Sequence, residues 1–238
     1  METDYKYYFK NYDDNEIFKQ LLEGVNNVWE IRQKAKEFTK TQIEQRDIKE
    51  NNGELLGDTN FSGNYYIGKG TKIYGGVTIE GPVYIGENVE IKPGAYIRPG
   101  TIISDNCSIG FNSEVKCSVL QKGAKVASLS FVGDSILGKS ARIGSGVITA
   151  NRRFDQGNIQ IKKIFGAKID TQTDFFGLVL GDNSRVGANS ATFPGTFIGS
   201  YTWVFPLTQV HGFIPELKRV SNKVEMMYTE NEKRELKS

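Results

Sequence analysis

YIGKGTKIYGGVTIEGPVYIGENVEIKPGAYIRPGT, Tyr66 to Thr101, carries an isoleucine at 67, 73, 79, 85, 91 and 97, and Ile103, Ile109 and Val115 continue the interval of six. Four residues after each comes a small or β-branched one: Thr71, Val77, Val83, Val89, Ala95, Thr101, Cys107, Ser113 and Val119. A period of six is neither the 3.6 of a helix nor the 2 of one long strand, so the chain must make a short strand, turn and repeat. Both columns are expected to point inward. Gly70, Gly76, Asn88, Gly94, Gly100, Asn106 and Asn112 fall at the turns, where residues that tolerate left-handed backbone angles are needed. Three flat faces per coil give a triangular prism: an all-β solenoid, a left-handed parallel β-helix of hexapeptide repeats.

Coils of about 18 residues then stack so that each buries its aliphatic column on the next, at roughly 1.5 to 3 kcal/mol per buried Ile or Val. The beat shortens to five between Val115 and Leu120 and again between Val132 and Leu137, and it returns later as Leu180, Val186, Ile198, Val204 and Val210. The pattern breaks over Ala150 to Phe176, where NIQIKKIFGAKI alternates on either side of a glycine like a β-hairpin. The β-helix is therefore placed at 63–213, with an inserted loop or hairpin at about 150–176. Residues 1–62 read as a helical segment, with Leu21, Leu22, Val25, Val28, Trp29 and Ile31 on a proline-free stretch expected to cap the first coil. Residues 214–238 read as a charged tail, a short polar helix or a frayed end. Phe175, Phe176, Phe193, Phe197, Trp203 and Phe205 are more aromatic bulk than one column buries, so some are expected between subunits, with the core as the alternative.

Thirty basic and 28 acidic residues leave a formal charge of +2, which gives no electrostatic footprint for nucleic acid or a membrane surface. Two cysteines fit neither a disulfide framework nor a metal cluster, so no metal is expected. METDYKYYFKNYDDNE lacks the basic start and apolar core of a signal peptide, and a cytoplasmic location is expected.

The segments YIRPGT, SEVKCSVLQKGAKVASLSFVGDSILGKSARIGSGVITANRRFD and FFGLVLGDNSRVGANSATFPGT, with VNNVWEI near the N-terminus, resemble the acetyltransferase half of the bifunctional enzymes that make UDP-N-acetylglucosamine. No stretch resembles their nucleotidylyltransferase half, so the resemblance points to standalone lipid-A-type acyltransferase relatives. It implies a homotrimer whose intersubunit clefts take acetyl-CoA, or another acyl-CoA, and an amino sugar carrying a phosphate or nucleotide. It also implies a catalytic histidine in a pattern like K-x-x-H-L-x-Y-x-G-D. Here that pattern reads Lys125 to Asp134 with Ser128 in the place of the histidine and Phe131 in that of the tyrosine.

By the same resemblance Arg98 and Lys116 hold the phosphate and sugar of the acceptor, as a guanidinium fork and an ammonium suit an anion. Asn151 matches an asparagine near the sugar, and Arg142 replaces another. Serine is no general base near neutral pH unless something activates it; Asp134, Glu114 or a carboxylate of a neighbouring subunit are the candidate substitutes. His211 is the one histidine, and the resemblance puts it within a residue of a Lys or Arg beside the CoA phosphates, which implies a packing or cofactor-side role. Two functions stand: an N-acyltransferase acting on a phosphorylated or nucleotide-linked amino sugar, and a trimeric binding protein that kept the solenoid and lost turnover. A different acceptor is a third.

Overall fold

A computed structural model of the chain describes residues 3–10, 16–162, 168–223 and 225–227. Among these, short parallel strands stack into two nine-stranded sheets and one eight-stranded sheet, visited in rotation as the three faces of a β-helix. Its regular coils pair Ile85 with Ile103, Ile91 with Ile109 and Ile97 with Val115. Every member of the isoleucine series is wholly buried, in one column that runs from Ile67 to Val210. The turns obey the same stacking: Gly94 has a φ of 70° and the side-chain amide of Asn112 lies over it, where a Cβ would collide. Inward hydroxyls join successive coils, as where Thr71 Oγ1 donates to the Gly86 carbonyl at 2.7 Å and accepts from the Val89 amide at 3.0 Å.

The shortened beats fall at one corner, between the third face and the first. After Val115 the chain turns through Lys116, Cys117 and Ser118, and after Val132 through Gly133, Asp134 and Ser135. Cys117 and Asp134 take left-handed backbone angles there, φ 47° and 49°. The lost residue shifts the inward register. Ser118 takes the slot of Thr101, and Val119 pairs with Ile102 on the outside of the first face rather than pointing inward as its spacing suggested. The insertion leaves from this corner too, after the strand Ile148–Thr149, and includes the antiparallel pair Gln160–Lys162 and Lys168–Asp170. The hairpin tip at 163–167 lies outside the described residues.

Two boundaries differ from the sequence reading. The coils begin with a strand at Lys49–Asn51, not at 63, and end with one at Arg219–Val220, not at 213. The N-terminal segment forms helices α1 (Tyr5–Tyr8), α2 (Glu16–Leu22) and α3 (Glu30–Phe38), and α3 continues into a π-helical turn over Thr39–Glu44. These helices do not sit as a lid on the first coil. They lie along the outer side of the first face, where Tyr8, Phe9, Phe18, Leu21, Val28 and Ile31 form a second core with Ile102, Val119, Ile136, Val179 and Phe197. The reason is composition: that face shows an apolar column outward as well as inward, and an exposed column of that size needs covering. Phe176 and Phe197 belong to this core, whereas Phe193, Trp203 and Phe205 are exposed. In the tail, 221–223 and 225–227 carry no helix or strand, and 224 and 228–238 lie outside the described residues.

Candidate active site

Arg98 and Lys116 follow the inward Ile97 and Val115 by one residue, so both side chains leave the third face on neighbouring coils. They line a recess of about 420 Å³ with Arg32, Lys36, Cys117, Asp134, Asp174 and Phe175. Arg98 Nη1 donates to Glu114 Oε1 at 2.8 Å, and that bond holds the guanidinium pKa above its ordinary value. Lys116 Nζ lies 3.5 Å from Asp134 Oδ2 and 4.4 Å from the centre of the Phe175 ring, so the insertion supplies an aromatic plate beside the ammonium.

Asp134 is the hub of this corner. Its side chain is 3% exposed and accepts from Arg32 Nη1 at 2.8 Å and from Asn151 Nδ2 at 2.7 Å. Arg32 comes from α3 and donates through Nη2 to Thr173 Oγ1 at 2.8 Å, tying the N-terminal helix, the corner and the insertion together. Two cations and an amide thus engage both oxygens of this buried carboxylate. The geometry of Asp134, read from the sequence as a substitute base, is that of a clamp. Cys117 lies in the same contact, with Arg32 Nη1 3.7 Å from its sulfur; burial, then the Asp134 charge, push its thiol pKa up, while Arg32 acts the other way. Phe131 flanks the group from the strand that leads into Asp134, its ring so close over Gly133 that a Cβ there would come within 2.6 Å of it.

The remaining sequence candidates lie elsewhere. Ser128 sits at the corner between the second and third faces, half-buried in a turn, and its carbonyl accepts from the Gly146 amide one coil on at 3.0 Å. Among the described residues its hydroxyl has no hydrogen-bond partner, so nothing there activates it as a base. Arg142 is exposed on the second face, in register with Arg185 on the next coil. Those two arginines line a shallow groove of about 380 Å³ with Ser145, Ala188, Trp203 and Phe205, one coil beyond Ser128. His211 is exposed at the end of a strand with its ring 5.9 Å from Phe193. The structure therefore gathers Arg98, Lys116, Phe131, Asp134 and Asn151 along one edge of the third face, leaves Ser128 and Arg142 off that edge, and places His211 on it but four coils beyond Lys116.

Arg32, Lys36, Thr173 and Phe175 are the site residues that the repeat reading missed. Their positions follow no six-residue beat. The available signal was Arg32 directly after VNNVWEI, a charge inside an otherwise apolar helix face with Ile31 and Ala35 buried around it.

Among the described residues no helix is long and apolar enough to cross a membrane, and no group of three or more His, Cys, Asp or Glu is placed to hold a metal ion. The family model of the GMPPB C-terminal domain matches residues 79–186. The bifunctional protein GlmU of Methanocaldococcus jannaschii is 36% identical over 100 residues, 42% of this chain and 24% of that protein, so the chain spans about a quarter of such bifunctional relatives. The putative uncharacterized acetyltransferase YaiX of Escherichia coli K12 is 33% identical over 185 residues, 78% of this chain and 79% of that protein. Among solved structures, LpxA of Acinetobacter baumannii aligns with a TM-score of 0.44 at 17% identity, over 74% of this chain and 69% of that one. With four-fifths of YaiX matched at 33% identity and the six-residue coils on view, the chain belongs to the hexapeptide-repeat acetyltransferases.

Proposed function

We propose that the protein transfers an acetyl group from acetyl-CoA to the amine of an amino sugar that carries a phosphate or nucleotide. The observation that carries this reading is the pairing of Arg98 and Lys116 on adjacent coils above the buried Asp134–Arg32 clamp, a basic recess sized for a sugar phosphate. A fork of guanidinium donors and a point-charge ammonium, both fixed by carboxylates, are suited to orienting a phosphate ester. The Phe175 ring beside Lys116 gives the sugar an apolar surface on which to lie.

The groove with Arg142, Arg185 and Trp203 is the place we assign to the nucleotide end of acetyl-CoA, because two stacked guanidiniums and an indole suit phosphates and an aromatic base. That groove and the basic recess lie at opposite edges of the third face. We infer a homotrimer in which the groove edge of one copy meets the recess edge of another, and the exposed Phe111, Leu129, Ile148 and Phe193 give that contact its apolar surface.

In the reaction, the amine nitrogen forms a bond to the thioester carbonyl carbon, the carbon–sulfur bond breaks, and the CoA thiolate leaves. The amine must shed a proton. Asp134 is committed to its clamp, so the carboxylate assigned here is Glu114, which engages Arg98 through Oε1 and is about a third exposed. Thiol release from acetyl-CoA with glucosamine 1-phosphate tests the reading: turnover that disappears in Arg98→Ala and falls in Glu114→Gln supports it. Binding of the sugar phosphate with no thiol release in any variant would instead leave a sugar-phosphate binding protein, the second reading, which the unpartnered hydroxyl of Ser128 favours.

A further inference from the structure

The recess has a wall that belongs to no hexapeptide repeat. Helix α3 lies outside the 79–186 span of the family model, yet it reaches the edge of the third face. Arg32 is 8% exposed and forks between Asp134 Oδ1 and Thr173 Oγ1, both at 2.8 Å, so the helix is pinned at that point. One turn on, Lys36 occupies the same helix face, since residues four apart lie one above the other. Lys36 lines the same recess as Arg98 and Lys116.

The charges of the recess divide unevenly. Arg32 and Lys116 both face Asp134, and Arg98 faces Glu114. Asp174, on the insertion, also lines the recess. Lys36 is exposed, and among the described residues no carboxylate forms an ion pair with it. It is the cation of the recess whose charge is not already spoken for, and it faces the cavity from the side opposite the solenoid.

We propose that Lys36 is a specificity-determining residue of the acceptor site: its ammonium meets the phosphate of the acceptor from the helix side, while Arg98 meets it from the third face. This rests on the reading of the recess as a sugar-phosphate site, and it adds that the N-terminal helix, not the solenoid alone, selects phosphorylated over unphosphorylated sugar. Lys116, held between Asp134 and Phe175, is left to orient the sugar ring.

Calorimetric titration of the full chain with glucosamine 1-phosphate, and with glucosamine as the uncharged-position control, tests it. Lys36→Gln should weaken glucosamine 1-phosphate about tenfold or more, the scale of one charge-assisted contact, and leave glucosamine as it was. Lys36→Arg should restore affinity to within about threefold of the native chain. In the acetyl-transfer assay the loss should fall on KM. Equal weakening of both sugars would mean that the substitution disturbs the helix, and unchanged affinity for glucosamine 1-phosphate would mean that the ammonium does not touch it; either overturns the proposal, as does a native chain that binds neither glucosamine 1-phosphate nor inorganic phosphate. Phosphate-dependent binding that needs Lys36 without any acetyl transfer would remove the enzyme reading and keep this one, whereas acetyl transfer indifferent to Lys36→Gln would do the reverse.

Discussion

The two edges of the third face are built from the same repeat and could hardly differ more. At one edge Ser128 is a turn residue, half-exposed, whose hydroxyl bonds to nothing among the described residues. At the other, Asp134 is buried and draws together α3, the third-face coils and the insertion through Arg32, Lys116, Asn151 and, by way of Arg32, Thr173. A solenoid corner is cheap to alter when only its own turn depends on it. It becomes costly once other segments are tied to it.

The largest expected effect sharpens the first half of that contrast. If Ser128 stands where a general base would act, Ser128→His should raise the rate of thiol release by about 10²- to 10⁴-fold, the usual contribution of a positioned base. Since the site is a half-exposed turn, its melting transition should stay within about 0.5 kcal/mol of the native one. No gain in rate would break the comparison on the functional side.

Next in size is the opposite corner. Arg32→Met leaves the Asp134 carboxylate buried with one cation fewer, and urea unfolding should show a loss of about 3–5 kcal/mol. A loss below about 1 kcal/mol would show that the clamp is not what fixes α3. Smaller still is the inner column, where Ile109→Val should cost roughly 0.5–1.5 kcal/mol because the void is one methylene deep. Asn112, at φ 49° in the same series of corners as Ser128, should lose about 1 kcal/mol on Asn112→Ala, and little on Asn112→Gly.

Thiol chemistry separates the corner from the core without a mutation. Burial pushes the Cys107 thiol up to about 12 and also raises Cys117. A raised thiol pKa means the reactive thiolate is scarce below it and grows as pH climbs towards it. Alkylation of the native chain at pH 8 should therefore be slow at both cysteines, and mass spectrometry after unfolding in urea should find both labelled. Cys117, 8% exposed beside the recess, should react before Cys107 as pH is raised.

The inner column was legible in the sequence because each of its contacts joins residues about one coil apart and repeats, so Ile67 to Val115 announced themselves by spacing alone. That Arg98 and Lys116 point outward was readable for the same reason, since each is one step from an inward residue, whereas their role came only from the family resemblance. Nothing periodic marks the second core or the clamp. Arg32 meets Asp134 across 102 residues, and Ser200 Oγ reaches the Tyr8 carbonyl across 192. Such pairs depend on where a helix happens to lie on a finished surface, which no local pattern encodes. Val119 was misplaced for a separate and local reason: the corner before it had lost a residue, which turned it outward.

That missing residue shapes the molecule more than any residue present. Because each coil reseats itself on the one before, a corner can be trimmed without disturbing the strands on either side, and two trimmed corners in succession indent the prism edge at Cys117 and Asp134. The basic cavity is carved by subtraction. Adding one residue after Lys116 would fill the indentation from within, pushing α3 and the insertion outward while leaving every rung of the ladder in place.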